Sequence, residues 1–320
     1  MRIACLGAGR MGRGIAVVFA FAGYDVVLLD MKSRGDFKRL ADEVANEMSS
    51  TLAMLARIGL MQPGHIAAIA NRVSVIPFEQ AAELDSADVI FEGVPEIVEV
   101  KLDTLARASR LARPDAIIAS TTSTILVDQL SPAVVHPERF LNAHWLNPAF
   151  LVPLVELSPG AGTDPGVTAR LKALLEQIGK VPVVCAATPG YIVPRIQGLA
   201  MNEAARLVEQ GVASAEDIEK AVKFGFGFRF AVLGLLEFID WGGGDILYYA
   251  ANYLAKALDD PRYAPPDIIA RNMAEGRIGM KTARGFLNYE GVDLEGYREQ
   301  RLAAFALMLR QFGLAREPVV

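Results

Sequence analysis

A glycine triplet near the start of the chain limits what it can fold into. Gly7-Ala-Gly9-Arg10-Met11-Gly12 follows the short apolar run Ile3–Leu6 and precedes a helix-like stretch from Gly14 to Ala22. Between a strand and a helix, the first glycine permits a tight turn and the second lets the backbone approach a pyrophosphate. The third lets the helix lie against the strand, and the helix N-terminus offers unpaired N–H groups to the phosphates. Gly23-Tyr24 stops that helix, and a second apolar run, Asp25–Leu29, closes on Asp30, 18 residues after Gly12. A carboxylate there accepts hydrogen bonds from ribose hydroxyls and repels a 2′-phosphate, so the reading is NAD rather than NADP. Gly7, Gly9, Arg10, Met11, Gly12 and Asp30 form the expected cofactor-binding set, and Lys32 and Arg34 just beyond soften the NAD preference. FAD is the rival cofactor, and a glycine turn that merely packs is the alternative to any cofactor.

The rest of the first half repeats the alternation. Residues 36–72 read as two helices broken at Met61-Gln62-Pro63-Gly64. Strands are expected at Val73–Ile76, Val89–Glu92, Ile117–Ser120, Phe140–Trp145 and Val181–Cys185, with Leu151–Leu157 as extended chain. Short apolar runs bounded by turn signals and separated by helices mean buried, mostly parallel strands. After Thr188-Pro-Gly190 the texture becomes helical, over 193–210, 214–224, 231–239, 244–257 and 265–276, with a capping box at Ser214-Ala-Glu-Asp217. The predicted fold class is α/β: a Rossmann-type doubly wound sheet over 1–187, then an all-α substrate and dimerisation domain over 188–320.

Composition excludes several classes of function. With 32 Lys plus Arg against 37 Asp plus Glu the net charge is -5, unsuited to the phosphate contacts of a duplex nucleic-acid binder. No apolar run approaches a membrane span, and the one after Met1-Arg2 is interrupted by Gly7, Gly9, Arg10, Gly12 and Arg13, so it reads as a strand rather than a leader. Two cysteines, Cys5 and Cys185, both in apolar stretches, argue against a disulfide framework and for a reducing cytoplasm. No metal-ligand spacing is expected.

Of three histidines, His65 and His136 fall in surface-like contexts, whereas His144 ends the apolar strand Phe140–His144 at the edge where such sheets bind ligands. Glu156 lies twelve residues on, so a strand, a turn and a returning strand bring the two side chains together. A carboxylate on one ring nitrogen fixes the tautomer and frees the other as a general base. A core histidine with its hydrogen bonds satisfied is the other reading.

Phe91-Glu-Gly-Val-Pro-Glu96, Ala119-Ser-Thr-Thr-Ser-Thr124, His144-Trp-Leu-Asn-Pro148, Thr188-Pro-Gly-Tyr-Ile-Val193 and Lys281-Thr-Ala-Arg-Gly-Phe286 together resemble the L-3-hydroxyacyl-CoA dehydrogenase family. The resemblance implies NAD-dependent oxidation of a short-chain 3-hydroxyacyl-CoA such as 3-hydroxybutyryl-CoA, within fatty-acid metabolism. It makes His144 the catalytic base and Glu156 its orienting partner, and places Ser123 on the substrate oxygen. Asn147 then lies beside substrate and nicotinamide, with Glu96 and Lys101 near the nicotinamide ribose. Read from the residues alone, the alternatives are a helix cap for Ser123, a solvated helix residue for Lys101 and a helix-start acid for Glu96.

Three departures bear on the substrate. The family pattern Ile-Val-Asn-Arg reads Ile192-Val-Pro-Arg195 here, so one substrate hydrogen bond is missing or comes from Ser123 or Gln197, while Pro194 suits a helix start. Gly227-Phe-Arg-Phe-Ala-Val-Leu-Gly234 is longer than usual and resembles the gulonate dehydrogenase and λ-crystallin branch, where Arg229 could meet a substrate carboxylate, or else cap carbonyls at a helix end. No lysine occurs between Lys38 and Lys101, in the hairpin that receives CoA phosphates in the family. A dehydrogenase of a small non-CoA hydroxy acid or alcohol is therefore the second reading, and a cofactor-binding structural protein a third. The apolar, Gly-rich run Phe224–Tyr249 reads as a homodimer interface or as internal core.

Overall fold

The computed structural model describes every residue except Arg34 and Val320. The softening role expected of Arg34 therefore lies outside the described residues. The chain divides into two compact units, Met1–Ala200 and Met201–Val320.

The first unit runs β1 (Arg2–Leu6), α1 (Arg10–Phe21), β2 (Asp25–Leu29), α2 (Phe37–Arg57), α3 (Ile66–Ala70) and β3 (Val73–Ile76). It continues with β4 (Val89–Glu92), α4 (Val98–Leu111), β5 (Ile117–Ser120), α5 (Val127–Leu130), β6 (Phe140–Trp145), β7 (Leu154–Pro159), α6 (Pro165–Gln177) and β8 (Val181–Val184). The strands form one sheet in the order β3-β2-β1-β4-β5-β6-β7-β8. All neighbouring pairs are parallel except β6 and β7. This is the doubly wound arrangement expected from the alternation of runs and helices, with the order reversing between β1 and β4. Of Leu151–Leu157, expected as extended chain, Leu151 lies in a turn and β7 begins at Leu154.

Alternation along the central strands separates two cores. Ile3, Cys5, Val26, Leu28 and Phe91 pack toward α1 and α2 on one face. Ala4, Leu6, Leu29, Ile90 and Ile118 pack against Leu105 and Ala108 of α4 on the other. Each fully buried Leu, Ile or Phe contributes about 1.5–3 kcal/mol, which is why strands covered on both faces read as unbroken apolar runs. Phe19, Phe91 and Trp145 form an aromatic cluster beneath α1 with centroids 5.4–6.2 Å apart.

The second unit is helical. After α7 (Val193–Glu209), whose first turns belong to the first unit, come α8 (Ala215–Ala221), a π-helical turn (Val222–Gly227) and α9 (Phe228–Phe230). Then follow α10 (Leu235–Gly242), α11 (Gly244–Ala257), α12 (Asp267–Ala274) and α13 (Leu294–Gln311). Ser214 Oγ accepts from Asp217 N at 3.1 Å, as its capping pattern predicts. Two helices differ from expectation. The expected helix at 231–239 begins only at Leu235, because Gly234 at φ 72° turns the chain first. α13 went unforeseen, since its apolar residues are interleaved with charge instead of forming one stripe; Phe305 stacks on Phe228, and Phe312 just after it meets Phe224. The Lys281–Phe286 motif is explained here: buried Asp240 accepts from Phe286 N at 2.9 Å and Leu287 N at 2.8 Å. A Cβ on Gly285 would collide with that carboxylate at 2.0 Å.

Candidate active site

The glycine loop has the shape its spacing demands. Gly7 takes φ 98°, and a Cβ there would press on Gly93 O at 3.0 Å; one on Gly12 would lie 2.1 Å from Gly7 O. Gly9 faces open space, with nothing within 4 Å of where its Cβ would be. Gly9 is also the N-cap of α1 and supplies no side-chain cap, and the first helical turn holds no acid, so its N–H groups point to a space suited to an anion. That space is a cavity of about 470 Å³ bordered by Gly7, Gly9, Arg10, Asp30, Lys32 and Gly93. Asp30 stands buried at the end of β2, its N–H on Ile76 O at 2.9 Å and its Oδ1 accepting from Lys32 N at 3.3 Å. A phosphate-accepting helix end beside a buried carboxylate fits a dinucleotide carrying a free ribose hydroxyl. Met11 is only half-buried and packs against the core below this loop.

At the carboxyl edge of the same sheet, antiparallel register pairs His144 of β6 directly with Glu156 of β7. Nδ1 of His144 lies 2.8 Å from Glu156 Oε2, and both side chains are buried. The other carboxylate oxygen, Oε1, accepts from Ile192 N and Val193 N, each at 2.9 Å, at the start of α7. A helix N-terminus favours an anion, so the same acid caps a helix and holds the imidazole. The one hydrogen bond of the ring among the described residues is that at Nδ1, so Nε2 has none there. With Nδ1–H donated to the carboxylate, Nε2 is the lone-pair nitrogen and can accept a proton. His144 is not a core histidine with both nitrogens satisfied.

The Glu96 and Lys101 pair is more elaborate than expected. Lys101 is buried rather than solvated, its Nζ on Glu92 Oε1 and Oε2 at 2.9 and 3.1 Å, on Val94 O at 3.3 Å and 3.4 Å from Glu96. Glu92 also accepts from Ser120 Oγ at 2.5 Å and Val94 N at 2.8 Å. Glu96 does not serve the start of α4. Its Oε1 accepts from the Thr122 hydroxyl, from Ser123 N at 3.0 Å and from Thr124 N and Oγ1 at 3.1 and 3.0 Å. Burial disfavours its charge, but the Thr122 hydroxyl, Lys101 and Thr124 outweigh that and hold the carboxyl below its ordinary range. Ser123 is thus presented by a loop cinched onto Glu96, exposed just past β5; α5 begins four residues later, so Ser123 is not its cap.

Asn147 is exposed past β6 and lines a second cavity of about 340 Å³ with Arg10, Arg13, Met48 and Phe150. Pro194 is the second residue of α7, the helix start expected of it. Arg229, in the second unit, is exposed and lies over the Phe238 ring at 4.7 Å, with no carboxylate or carbonyl bonded to it among the described residues. That removes its carbonyl-capping role. No group of three or more potential ligands could hold a metal among the described residues, and no helix is long and apolar enough to cross a membrane.

Three buried polar residues here were assigned no role from sequence. Glu92 carried the same signal as Asp30, an acid closing an apolar strand, and Asn142 shares a face of β6 with His144 by the two-residue period. Tyr191 gave no signal beyond its place in the Thr188–Val193 motif.

The 3-hydroxyacyl-CoA dehydrogenase NAD-binding domain matches residues 2–188, and the C-terminal domain of the same family matches residues 190–289. A 3-hydroxybutyryl-CoA dehydrogenase of Bradyrhizobium diazoefficiens is 32% identical over 290 residues, 91% of this chain and 96% of that protein. A 5-formyl-3-hydroxy-2-methylpyridine 4-carboxylate 5-dehydrogenase of Mesorhizobium japonicum is 30% identical over 314 residues, 96% of this chain and 97% of that protein. A 3-hydroxyacyl-CoA dehydrogenase from Archaeoglobus fulgidus has a similar structure, with a TM-score of 0.79 at 28% identity over 98% of this chain and all of that one. With its glycine loop, acid-capped β2 and doubly wound sheet, the chain belongs to the 3-hydroxyacyl-CoA dehydrogenase family of NAD-dependent oxidoreductases.

Proposed function

We propose that this enzyme oxidises the hydroxyl of a short-chain L-3-hydroxyacyl-CoA, such as 3-hydroxybutyryl-CoA, to the ketone, with His144 as general base. The observation that carries the reading is the buried 2.8 Å contact between His144 Nδ1 and Glu156, with Nε2 unpaired at the ligand-binding edge of the sheet. Bound NAD supplies the hydride acceptor at nicotinamide C4. His144 takes the hydroxyl proton at Nε2 as the carbinol C–H bond breaks, and Glu156 stabilises the imidazolium that forms. Ser123, held out by the Glu96-bound loop, donates to the substrate oxygen, and Asn147 orients the carbinol from the β6–β7 turn. Gly7, Gly9, Arg10, Met11, Gly12 and Asp30 hold the adenosine and pyrophosphate, and Glu96 with Lys101 borders the nicotinamide ribose.

In this reading residues 1–187 carry the cofactor, and 188–320 carry substrate contacts and a homodimer interface. On α11, Ile246, Tyr249 and Tyr253 are exposed at helical spacing, an apolar stripe suited to a second copy. Cys5 and Cys185 are both free thiols, in keeping with a reducing cytoplasm.

A small hydroxy acid without CoA is the second reading. The lysine-free interval between Lys38 and Lys101 favours it, as does the unpaired guanidinium of Arg229, free to take a carboxylate. The Mesorhizobium relative, named for a pyridine carboxylate, matches nearly the full length of this chain. NAD reduction measured with 3-hydroxybutyryl-CoA and with free hydroxy acids separates the two. Saturable turnover with the thioester supports the first reading, and saturable turnover only with free acids replaces it with the second.

A further inference from the structure

The hydrogen bond from Nδ1 to Glu156 limits rotation of the His144 ring about its bond to Cβ, but one contact at one edge still lets the ring rock out of plane. A second contact removes that freedom. Tyr191 lies flat on His144, with ring centroids 5.1 Å apart and planes 11° from parallel. The tyrosine is buried, and its hydroxyl accepts from Asn142 Nδ2 at 3.0 Å and donates to Thr122 O at 3.0 Å. Both partners adjoin the proposed machinery: Asn142 shares a face of β6 with His144, and Thr122 precedes Ser123 in the loop bound by Glu96.

The backbone is shaped to make this contact. Gly190 and Tyr191 both take positive φ, 74° and 45°, and the second is a left-handed conformation that a residue with a Cβ rarely adopts. The next two residues, Ile192 and Val193, give their N–H groups to Glu156. The short segment Gly190–Val193 therefore grips both members of the pair, the imidazole by a ring face and the carboxylate by two donors. Burial pushes the Tyr191 phenol above its ordinary range, so its hydroxyl stays a neutral donor.

We propose that Tyr191 is a positioning residue for proton transfer: its ring fixes the plane of the His144 imidazole, and its hydroxyl ties that plane to the loop carrying Ser123. The inference rests on His144 acting as the base. Misplacing a reacting group by about 1 Å costs roughly 10²-fold in rate, so a ring free to rock is a kinetic defect before it is a binding one.

The test compares wild type with Tyr191→Phe, Tyr191→Met and Tyr191→Leu, with His144→Ala alongside. Turnover is read with 3-hydroxybutyryl-CoA or the free hydroxy acid that the wild type oxidises, and the His144 ring is followed by NMR. With only three histidines in the chain, the resonance absent from His144→Ala identifies it. Methionine and leucine keep apolar volume but offer no flat face, and having both guards against one failing to fold. In both, kcat is expected to fall roughly tenfold or more while KM for NAD stays within about twofold, and the His144 ring resonance broadens as the ring samples more than one orientation. Phenylalanine keeps the face and restores kcat to within about threefold with the sharp wild-type resonance, losing the hydroxyl's ties to Thr122 and Asn142. A folded methionine or leucine variant with wild-type kcat overturns the proposal, whatever its resonance does. If His144→Ala retains wild-type turnover, the base assignment falls and this role with it. If His144→Ala is inactive while the apolar variants match wild type, only the role of Tyr191 falls.

Discussion

Glu92 and Lys101 form one buried acid–base pair at the carboxyl edge of the sheet, and Glu156 and His144 form another, yet the two are wired differently. Lys101 spends its ammonium on Glu92, Glu96 and a carbonyl, and Glu92 takes up Ser120 and a backbone N–H besides. In the second pair the acid is bound by a ring nitrogen and two backbone donors, while the base keeps Nε2 without a partner among the described residues. Removing a charge from water costs several kcal/mol, which a closed network offsets. Leaving one nitrogen unspent stabilises nothing in the resting protein. Under the proposed function, the closed pair steadies the edge of the sheet on which the cofactor rests, and the open pair keeps one atom for chemistry.

The largest effect should come from breaking the closed pair. Lys101→Met strands Glu92 as a buried uncompensated charge, so unfolding by denaturant should show a loss of about 3–5 kcal/mol. A change below about 1 kcal/mol would mean that the pair is not structural. Next comes the open pair. Glu156→Gln keeps the shape but removes the charge that stabilises an imidazolium, so kcat/KM for alcohol oxidation should fall roughly 10²-fold or more. A loss of stability without a loss of rate in that variant would collapse the distinction. Smaller is the effect at the cofactor end: Asp30→Ala should raise KM for NAD about tenfold and narrow the preference over NADP, read from initial rates with each.

The smallest effect concerns the Glu96 clasp. Its carboxyl titrates below its unfolded value, so its contribution is complete above the ordinary carboxylate range and lost as pH falls through the lowered folded value. Amide exchange of Ser123 and Thr124 should accelerate in acid beyond the intrinsic trend, and Glu96→Gln should abolish that pH dependence. Equal acid sensitivity in wild type and Glu96→Gln would detach the loop from this acid.

Much of this was legible because the relevant signals are local. Each strand from β1 to β6 sits under an apolar run, and the register of His144 with Glu156 follows from one strand, one turn and a return. What stayed hidden depends on contacts between separate elements, which local patterns do not announce. Lys101 reads as a surface helix residue because nothing nearby announces the acid at Glu92 on another element. Tyr191 meets Thr122 across 69 residues, and its approach needs two consecutive positive φ angles that no pattern of apolar residues encodes. Helix α13 escaped notice because its apolar residues are interleaved with charge, and only packing against the phenylalanines of 224–230 gives them a common purpose.

The most direct test is the pH dependence of NAD reduction by wild type and His144→Ala at saturating cofactor. An unpaired Nε2 acting as base predicts a wild-type rate that falls as pH drops, through protonation of one group. It also predicts a roughly 10³-fold slower His144→Ala enzyme that has lost that acidic limb. A His144→Ala variant with wild-type turnover and the same acidic limb would contradict the account.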